Sequence, residues 1–227
     1  MTRPTVAVVM PIYNGGTYLA EALASLRAQT LLPDEIVVVD DGSTDGSGAL
    51  AAARAPQARL VRQENAGVAA ALARGVRETT AEIVTFLEAD DVWLPEKLAR
   101  EAARFAAEPD VAWTLCHTQI FLDAGCERPS WLRPALLDGP SLVAFVSALA
   151  IRRTVFARVG DFDATYRYGQ DTEWMMRAQA AGMRRAILPE VSVRRRIHAS
   201  NMTDVQRHAT AMLRVARAAA RRHAGAS

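Results

Sequence analysis

Three apolar runs in the first half of the chain limit its fold more than any other feature. Val6-Ala7-Val8-Val9-Met10, the body of Glu35–Val39, and Ile83–Leu87 are continuous rather than alternating. Strands of that kind are buried on both faces, the condition of a parallel sheet covered by helices. The segments between them carry the helical period. Asn14-Gly15-Gly16 is a turn, and Leu19, Ala22, Leu23 and Leu26 then recur at helical spacing, with Thr17 placed to cap. A short Ala-rich helix ends at Pro56, and Arg59–Arg62 is a further strand. Asn65 is placed to cap a helix that turns Val68, Ala71, Leu72 and Val76 inward. Strand and helix alternating over short connections predict a doubly wound α/β unit.

What the strands end in is as informative as the strands. Ile83–Leu87 stops at Glu88-Ala89-Asp90-Asp91, three carboxylates within four positions. Such charge at a sheet edge is costly without a positive partner, and a divalent cation is the usual one. The second strand ends at Asp40-Asp41, and the first runs into Pro11-Ile12-Tyr13-Asn14. Ligands of open α/β sheets bind beyond the carboxyl ends of the strands, so these clusters are expected to converge on one edge.

The remainder reads as one continuous domain without repeat or linker. Pro95 suits the first residue of a helix to about Ala107. Val111–Phe121 fits one or two strands, and Gly125–Gly139 a loop over the active face. Leu142–Ile151 reads as a strand, and Thr154–Val159 as a short helix. Gly169-Gln170-Asp171-Thr172-Glu173-Trp174 opens a helix with Trp174, Met175 and Ala178 inward, closed by Gly182. Ala186–Leu188 and Val191–Ile197 read as short strands, and a last helix spans about Thr203 to Arg222.

Composition excludes several classes. A net charge of +2 over 227 residues is too small for a nucleic-acid binder. No apolar run approaches the ~20 residues of a membrane span, and the N-terminus lacks a signal-peptide pattern. The two cysteines, Cys116 and Cys126, read as reduced thiols of a cytoplasmic protein. No GxGxxG follows the first strand, which argues against a dehydrogenase. Asn14-Gly15-Gly16 lacks the basic partner that a nucleotidyltransferase loop would carry.

Taken in order, Val8–Asn14, Glu35–Asp45 ("EIVVVDDGSTD"), Glu64–Val68, Phe86–Asp91, Val159–Asp163, Gln170–Trp174 and Arg196-Ile197-His198 resemble the family 2 glycosyltransferases. The resemblance covers most of the chain. It implies a GT-A fold, a single Rossmann-like domain with a mostly parallel central sheet flanked by helices and a short C-terminal helical extension. The nucleotide-binding half would span about 1–95, the acceptor half about 96–200, and the C-terminal helix about 203–222. It also implies an inverting transfer of a sugar from a UDP, GDP or dTDP donor to a hydroxyl acceptor, with Mn²⁺ or Mg²⁺ as cofactor.

Residue by residue, Asp171 matches the catalytic base. A carboxylate at a helix start is expected to have its ionised form favoured by the dipole. Asp41, with Asp40 beside it, matches the contact to the base. Pro11 and Tyr13, followed by Asn14, match the loop along the nucleoside. Asp90 and Asp91 match the metal motif, with Glu88 expected nearer the ribose or behind the metal's own ligands. Arg196 and His198 lie where the family often has groups near the metal or diphosphate. Glu88 stands for a usual Asp, Gln170 for a common Glu, and Leu72-Ala73 for a frequent Arg-Asn pair. These departures keep a catalytically degenerate sugar-nucleotide-binding module open as the alternative. The Arg-rich C-terminal helix (Arg207, Arg214, Arg217, Arg221, Arg222) reads as a solvated face or as peripheral contact with anionic lipid at the inner membrane face.

Overall fold

The computed structural model describes residues 3–199, Asn201 and Leu213–Val215. Its centre is an eight-stranded mixed sheet in the order β3-β2-β1-β4-β7-β6-β8-β5. The apolar runs become β1 (Val6–Ile12), β2 (Glu35–Asp40) and β4 (Ile83–Phe86). β1 lies between β2 and β4, parallel to both, with Val9 opposite Val37 and Phe86. Every residue of β1 and β4 is buried, as continuous apolar sequence requires. β3 (Arg59–Arg62) joins β2 in parallel as a largely exposed edge, which its two arginines suit.

Helices α1 (Gly16–Arg27), α2 (Ser47–Arg54) and α3 (Val68–Arg77) connect these strands. α1 buries Leu19, Ala22, Leu23 and Leu26, the four apolar positions of its sequence pattern. α3 approaches β1 so closely that a Cβ on Gly75 would stand 2.2 Å from Val9 Cγ1, so only glycine fits there. The caps differ from expectation. α1 begins at Gly16 and α3 at Val68, each after a glycine and without a side-chain cap, so neither Thr17 nor Asn65 caps.

The second half turns the sheet antiparallel. β7 (Leu149–Arg152) runs against both β4 and β6 (Trp113–Leu122), and β8 (Arg185–Ile197) runs parallel to β6. β5 (Val92–Trp93) pairs antiparallel with β8 just after the acidic stretch. Where two short strands were expected, β8 is one strand. Register shifts beside Cys116, His117 and Thr118 absorb the extra residues around Pro189. Leu142–Ile151 is a strand only from Leu149, with a 3₁₀ turn at Val146–Ala148 before it. α4 (Lys97–Ala107) starts two residues after Pro95, whose carbonyl accepts from Thr30 N–H at 2.8 Å.

α5 (Arg153–Val159) and α6 (Gln170–Ala180) close the domain. An aromatic cluster fixes α6 against the sheet. Fully buried Trp174 lies 6.2 Å from Trp113, 5.5 Å from Phe156 and 5.9 Å from Phe162 between ring centres. Its indole N–H donates to Gly160 O at 2.9 Å. Glu173, also buried, pairs with Arg177 Nε at 2.8 Å, and Arg177 donates to Asp161 O at 2.7 Å. The first turn of α6 therefore stands on rigid support. The 125–139 segment packs Trp131, Leu132, Leu136 and Leu137 against Ile120 and Ile197 at the ends of β6 and β8. Among the described residues no helix is long and apolar enough to cross a membrane. Most of the expected last helix lies outside the described residues.

Candidate active site

The loops after β1 and β2 lock into each other. Asn14, at a left-handed φ of 48°, accepts from Thr44 N–H through Oδ1 at 2.9 Å, and its own N–H donates to Ser43 Oγ at 3.0 Å. Pro11 is buried within β1 opposite Val39, while Tyr13 is exposed at the strand's end. Asp40 and Asp41 are both buried. Asp40 Oδ1 accepts from Ser43 N–H at 2.8 Å, the turn role expected of one member of the pair. Asp41 gathers the next loop: Oδ1 accepts from Gln63 Nε2 at 2.8 Å and Ala66 N–H at 2.9 Å, and Oδ2 from Gly67 N–H at 2.9 Å. Each carboxylate oxygen has two lone pairs, so Oδ2 keeps capacity for one further donor.

The β1 loop also touches the acidic turn. A Cβ on Gly15 would stand 2.9 Å from Ala89 Cβ, so the loop after β1 and the turn after β4 are in van der Waals contact. The polar ends of β1, β2 and β4 thus occupy one edge of the sheet, as the order β2-β1-β4 dictates.

Beyond that edge a cavity of about 160 Å³ is lined by Glu88, Asp90, Asp91, Phe145, Asp171 and Arg195, among others. Asp171 is about eighty residues away in sequence from the acidic turn, and the cavity joins them. Pro11, Tyr13, Asn14, Asp40 and Asp41 do not line it; they stand on the adjacent strand ends. The 125–139 segment does not line it either. Its walls come instead from Ala144-Phe145 and from Arg167–Thr172.

The electrostatics of the cavity are those of crowded acids. Burial pushes the Glu88 carboxyl well above the usual range, and Asp90 and Asp91 reinforce the shift. Burial and the neighbouring Asp90 raise Asp91 to about 7, with Arg195 and the nearby Ser147 hydroxyl only partly offsetting them. Asp91 Oδ2 is buried without a hydrogen bond among the described residues. Asp91 Oδ1 accepts from Arg196 N–H at 3.3 Å. Asp90 is better served: its Oδ2 is 3.1 Å from His198 Nε2 and accepts from Asn201 Nδ2 at 3.1 Å. His198 therefore stands beside Asp90 as its neighbour in the turn after β8.

Asp171 departs from the sequence reading. It sits in the first turn of α6, yet burial raises its pKa, against the pull of the helix dipole. Thr172 N–H, donating to Asp171 Oδ1 at 2.7 Å, and the charge of Arg195 offset this only in part. The depressed pKa expected from the dipole alone is not what the structure has.

The three arginines of β8 have separate tasks, as strand alternation requires. Arg194 stacks on Phe121 at 4.4 Å. Arg196 is buried, with Nη1 on Asp123 at 2.7 Å, Nη2 on Glu21, and Nε on Asp90 O at 3.2 Å. It also stacks between Tyr18 and Phe121. That guanidinium is fully committed to protein groups. Arg195 and Arg196 both line the cavity, but Arg195 does so with its guanidinium over Phe145, at 4.5 Å, and without a hydrogen bond or ion pair among the described residues. The Arg194-Arg195-Arg196 run shows that one residue differs from its neighbours, but not which face meets the cavity. Two of the family departures are packing choices here: Leu72 and Ala73 are both buried in α3.

Among the described residues no three His, Cys, Asp or Glu side chains form a ready metal cage. One or two carboxylates with water and phosphate oxygens is the ordinary way a magnesium-like ion is held, and the orphaned, repelled Asp91 carboxylate beside Asp90 fits such a site.

Comparison with known proteins agrees with this architecture. The model of glycosyl transferase family 2 matches residues 7–192. An uncharacterized glycosyltransferase of Nostoc is 34% identical over 174 residues, covering 70% of this chain and 54% of that protein. The putative glycosyltransferase EpsH of Bacillus subtilis is 29% identical over 143 residues, covering 62% of this chain and 41% of the relative. The chain thus spans about half, or less, of the length of these relatives. Among solved structures, S. aureus TarS 1-349 in complex with UDP-GlcNAc superposes with a TM-score of 0.67 at 20% identity, covering 93% of this chain and 65% of that one. The mannosyltransferase PcManGT of Pyrobaculum calidifontis, in complex with GDP-Man and Mn²⁺, gives 0.67 at 23% identity, covering 88% and 59%. At these identities the structural likeness concerns the GT-A fold. With the family matched over most of its length and the fold shared with these enzymes, the chain belongs to glycosyl transferase family 2.

Proposed function

We propose that this domain transfers a sugar from a nucleotide-diphosphate donor to an acceptor hydroxyl with inversion, in glycan, envelope or glycoconjugate synthesis. The observation that carries the reading is the cavity that joins Asp171 to Glu88, Asp90 and Asp91. Two separate demands of the reaction meet there. The leaving diphosphate has to be charge-compensated, and the acceptor has to lose a proton on the opposite side of the sugar.

Asp171 serves as general base. Its raised pKa makes its ionised form a stronger proton acceptor than an ordinary aspartate, which suits a hydroxyl nucleophile. Single displacement by the acceptor needs one such carboxylate and no covalent intermediate, hence inversion. The rigid support of Trp174, three residues on, holds the base in place. Asp90 and Asp91 would hold a divalent ion, Mn²⁺ or Mg²⁺, with His198 beside Asp90. Such an ion supplies Lewis-acid compensation of diphosphate charge. Asp41, with one oxygen still able to accept, is assigned to the base. Asp40, Pro11, Tyr13 and Asn14 shape the nucleoside's bed, and Glu88 faces the ribose side.

UDP- and GDP-linked sugars are the first donors to try, since TarS is solved with UDP-GlcNAc and PcManGT with GDP-Man. A dTDP donor offers the same base N–H as UDP. The reading keeps the cytoplasmic location expected from the sequence, and it sets the acceptor beside Asp171. The reading includes peripheral membrane contact through the Arg-rich C-terminal segment. Arg214 donates to Thr165 O at 3.0 Å and stacks on Tyr166 at 4.6 Å, turned toward the domain itself. Flotation with anionic liposomes at low salt tests it, and an absence of binding removes it.

The test of the whole is incubation with UDP-, GDP- and dTDP-sugars in Mn²⁺ or in EDTA, reading release of the nucleoside diphosphate. Release with one donor, lost in EDTA, is the expected result. Tight nucleotide binding with no release under any condition would instead favour the degenerate binding module.

A further inference from the structure

The cavity holds a cation that the reading above leaves without a task. Arg195 projects into it from β8, its guanidinium stacked on Phe145 at 4.5 Å. The stacking fixes the plane and leaves the N–H edge open. Among the described residues this guanidinium makes no hydrogen bond or ion pair, although Glu88, Asp91 and Asp171 all feel its charge. Its neighbour shows the contrast. Arg196 spends its donors on Glu21, Asp123 and the Asp90 carbonyl.

A guanidinium carries five N–H donors in a fixed fork, matched to phosphate and carboxylate oxygens. One that is stacked, half-enclosed and unbonded has the geometry of a receptor for an oxyanion. Arg167 also lines the cavity, from an exposed position, and likewise makes no hydrogen bond or ion pair among the described residues. The carboxylates do not satisfy this pair, so the cavity offers fork donors beside a site already suited to a metal ion.

We infer that Arg195, assisted by Arg167, is a phosphoryl-oxygen-binding group, in addition to any metal held by the acidic turn. This rests on the proposed glycosyl transfer. The phosphoryl group has two possible sources, the donor's diphosphate or a phosphate on the acceptor, and both present the same chemistry to the fork.

The experiment compares the full chain with Arg195→Gln and Arg195→Lys. Arg194→Gln, on the opposite face of β8, is the control. Binding of UDP, GDP and glycerol phosphate is measured by calorimetry in EDTA, so that no metal mediates the contact, and thermal melts check folding. Loss of a charge-assisted fork should weaken the phosphoryl probe about tenfold or more. Arg195→Lys should recover part of the loss, since charge without the fork retains part of the contact. Weakened UDP or GDP assigns Arg195 to the donor, and weakened glycerol phosphate alone assigns it to the acceptor. A wild type that binds UDP or GDP while a folded Arg195→Gln binds every probe equally well overturns the inference and leaves the proposed function standing. A wild type that binds none of them in EDTA overturns the inference, and one that also binds none of UDP, GDP and dTDP in Mn²⁺ overturns the proposed function with it.

Discussion

The backbone N–H of Arg196 donates to Asp91 Oδ1 at 3.3 Å, tying the end of β8 to the acidic turn after β4. The same residue's guanidinium draws in Glu21 from α1 and Asp123 from the end of β6. One buried side chain thus holds three elements around the carboxylates of the cavity. Arg196→Ala leaves Asp123 with the Tyr18 hydroxyl, at 2.9 Å, as its remaining side-chain donor and no cation beside it, while Glu21 is exposed enough to be rehydrated. The expected cost is about 2 kcal/mol, or a fall in Tm of about 4–8 °C, read by thermal melts. A change within about 1 °C would show that the clamp carries no weight.

The crowded acids make a stability prediction with a definite sign. Asp91 is raised to about 7 in the folded chain, above the ordinary aspartate value. Protonation therefore favours the folded state. The stabilisation is fully present below the ordinary carboxylate range and is lost as pH rises through about 7. Between about pH 5 and pH 8 the metal-free protein should lose stability on the order of 2–4 kcal/mol through this group. Asp91→Asn should be flatter over the window and more stable than the wild type at its upper end. Mn²⁺ should restore the wild type at high pH and do less for the variant. Parallel melting curves for the two proteins would contradict this.

The sequence carried most of the parallel half of the fold because burial on both faces leaves a mark in every position of a strand. β1, β2 and β4 could be read directly, and so could the acids at their ends. The second half was harder. β8 runs on through Pro189 and Glu190 because the pairing with β6 shifts register, and no residue pattern announces a bulge. The Asp171 pKa was misjudged for a related reason: the dipole is local and legible, while the burial that outweighs it comes from residues far along the chain. Arg195 was visible only as the middle of three arginines.

Lys97, the lone lysine, shows the same limit. The spacing to Glu101, four residues on, places the two on one side of a helix and says nothing of their burial. In the structure both side chains are wholly buried, with Lys97 Nζ 2.5 Å from Glu101 Oε1, 2.9 Å from Thr85 Oγ1, and over the Trp93 ring at 4.2 Å. Lys97→Met strands a buried carboxylate and should cost about 3–5 kcal/mol, whereas Lys97→Met with Glu101→Leu should recover most of that. Denaturant titration of the single and double variants checks it. Equal losses in both would mean that the pair does not act as a unit. The native protein should also resist amine-directed labelling at Lys97 until it is unfolded.

The raised pKa of Asp171 sets the acid side of the rate profile. Only the ionised form accepts a proton, so activity should fall on acidification through that raised value. The acid limb of kcat/KM is expected above the ordinary aspartate value of about 3.9. A rate that stays level down to about pH 4 would exclude Asp171 as the titrating base.

The most direct test of the account is Asp171→Asn. The side chain keeps its shape, loses its basicity, and lies in the cavity away from the β1 and β2 loops assigned to the nucleoside. With the donor that the wild type uses, turnover should fall at least about 100-fold, while the Kd for the matching nucleoside diphosphate stays within about twofold. Turnover within a few-fold of the wild type would contradict the central claim that this carboxylate takes the acceptor's proton.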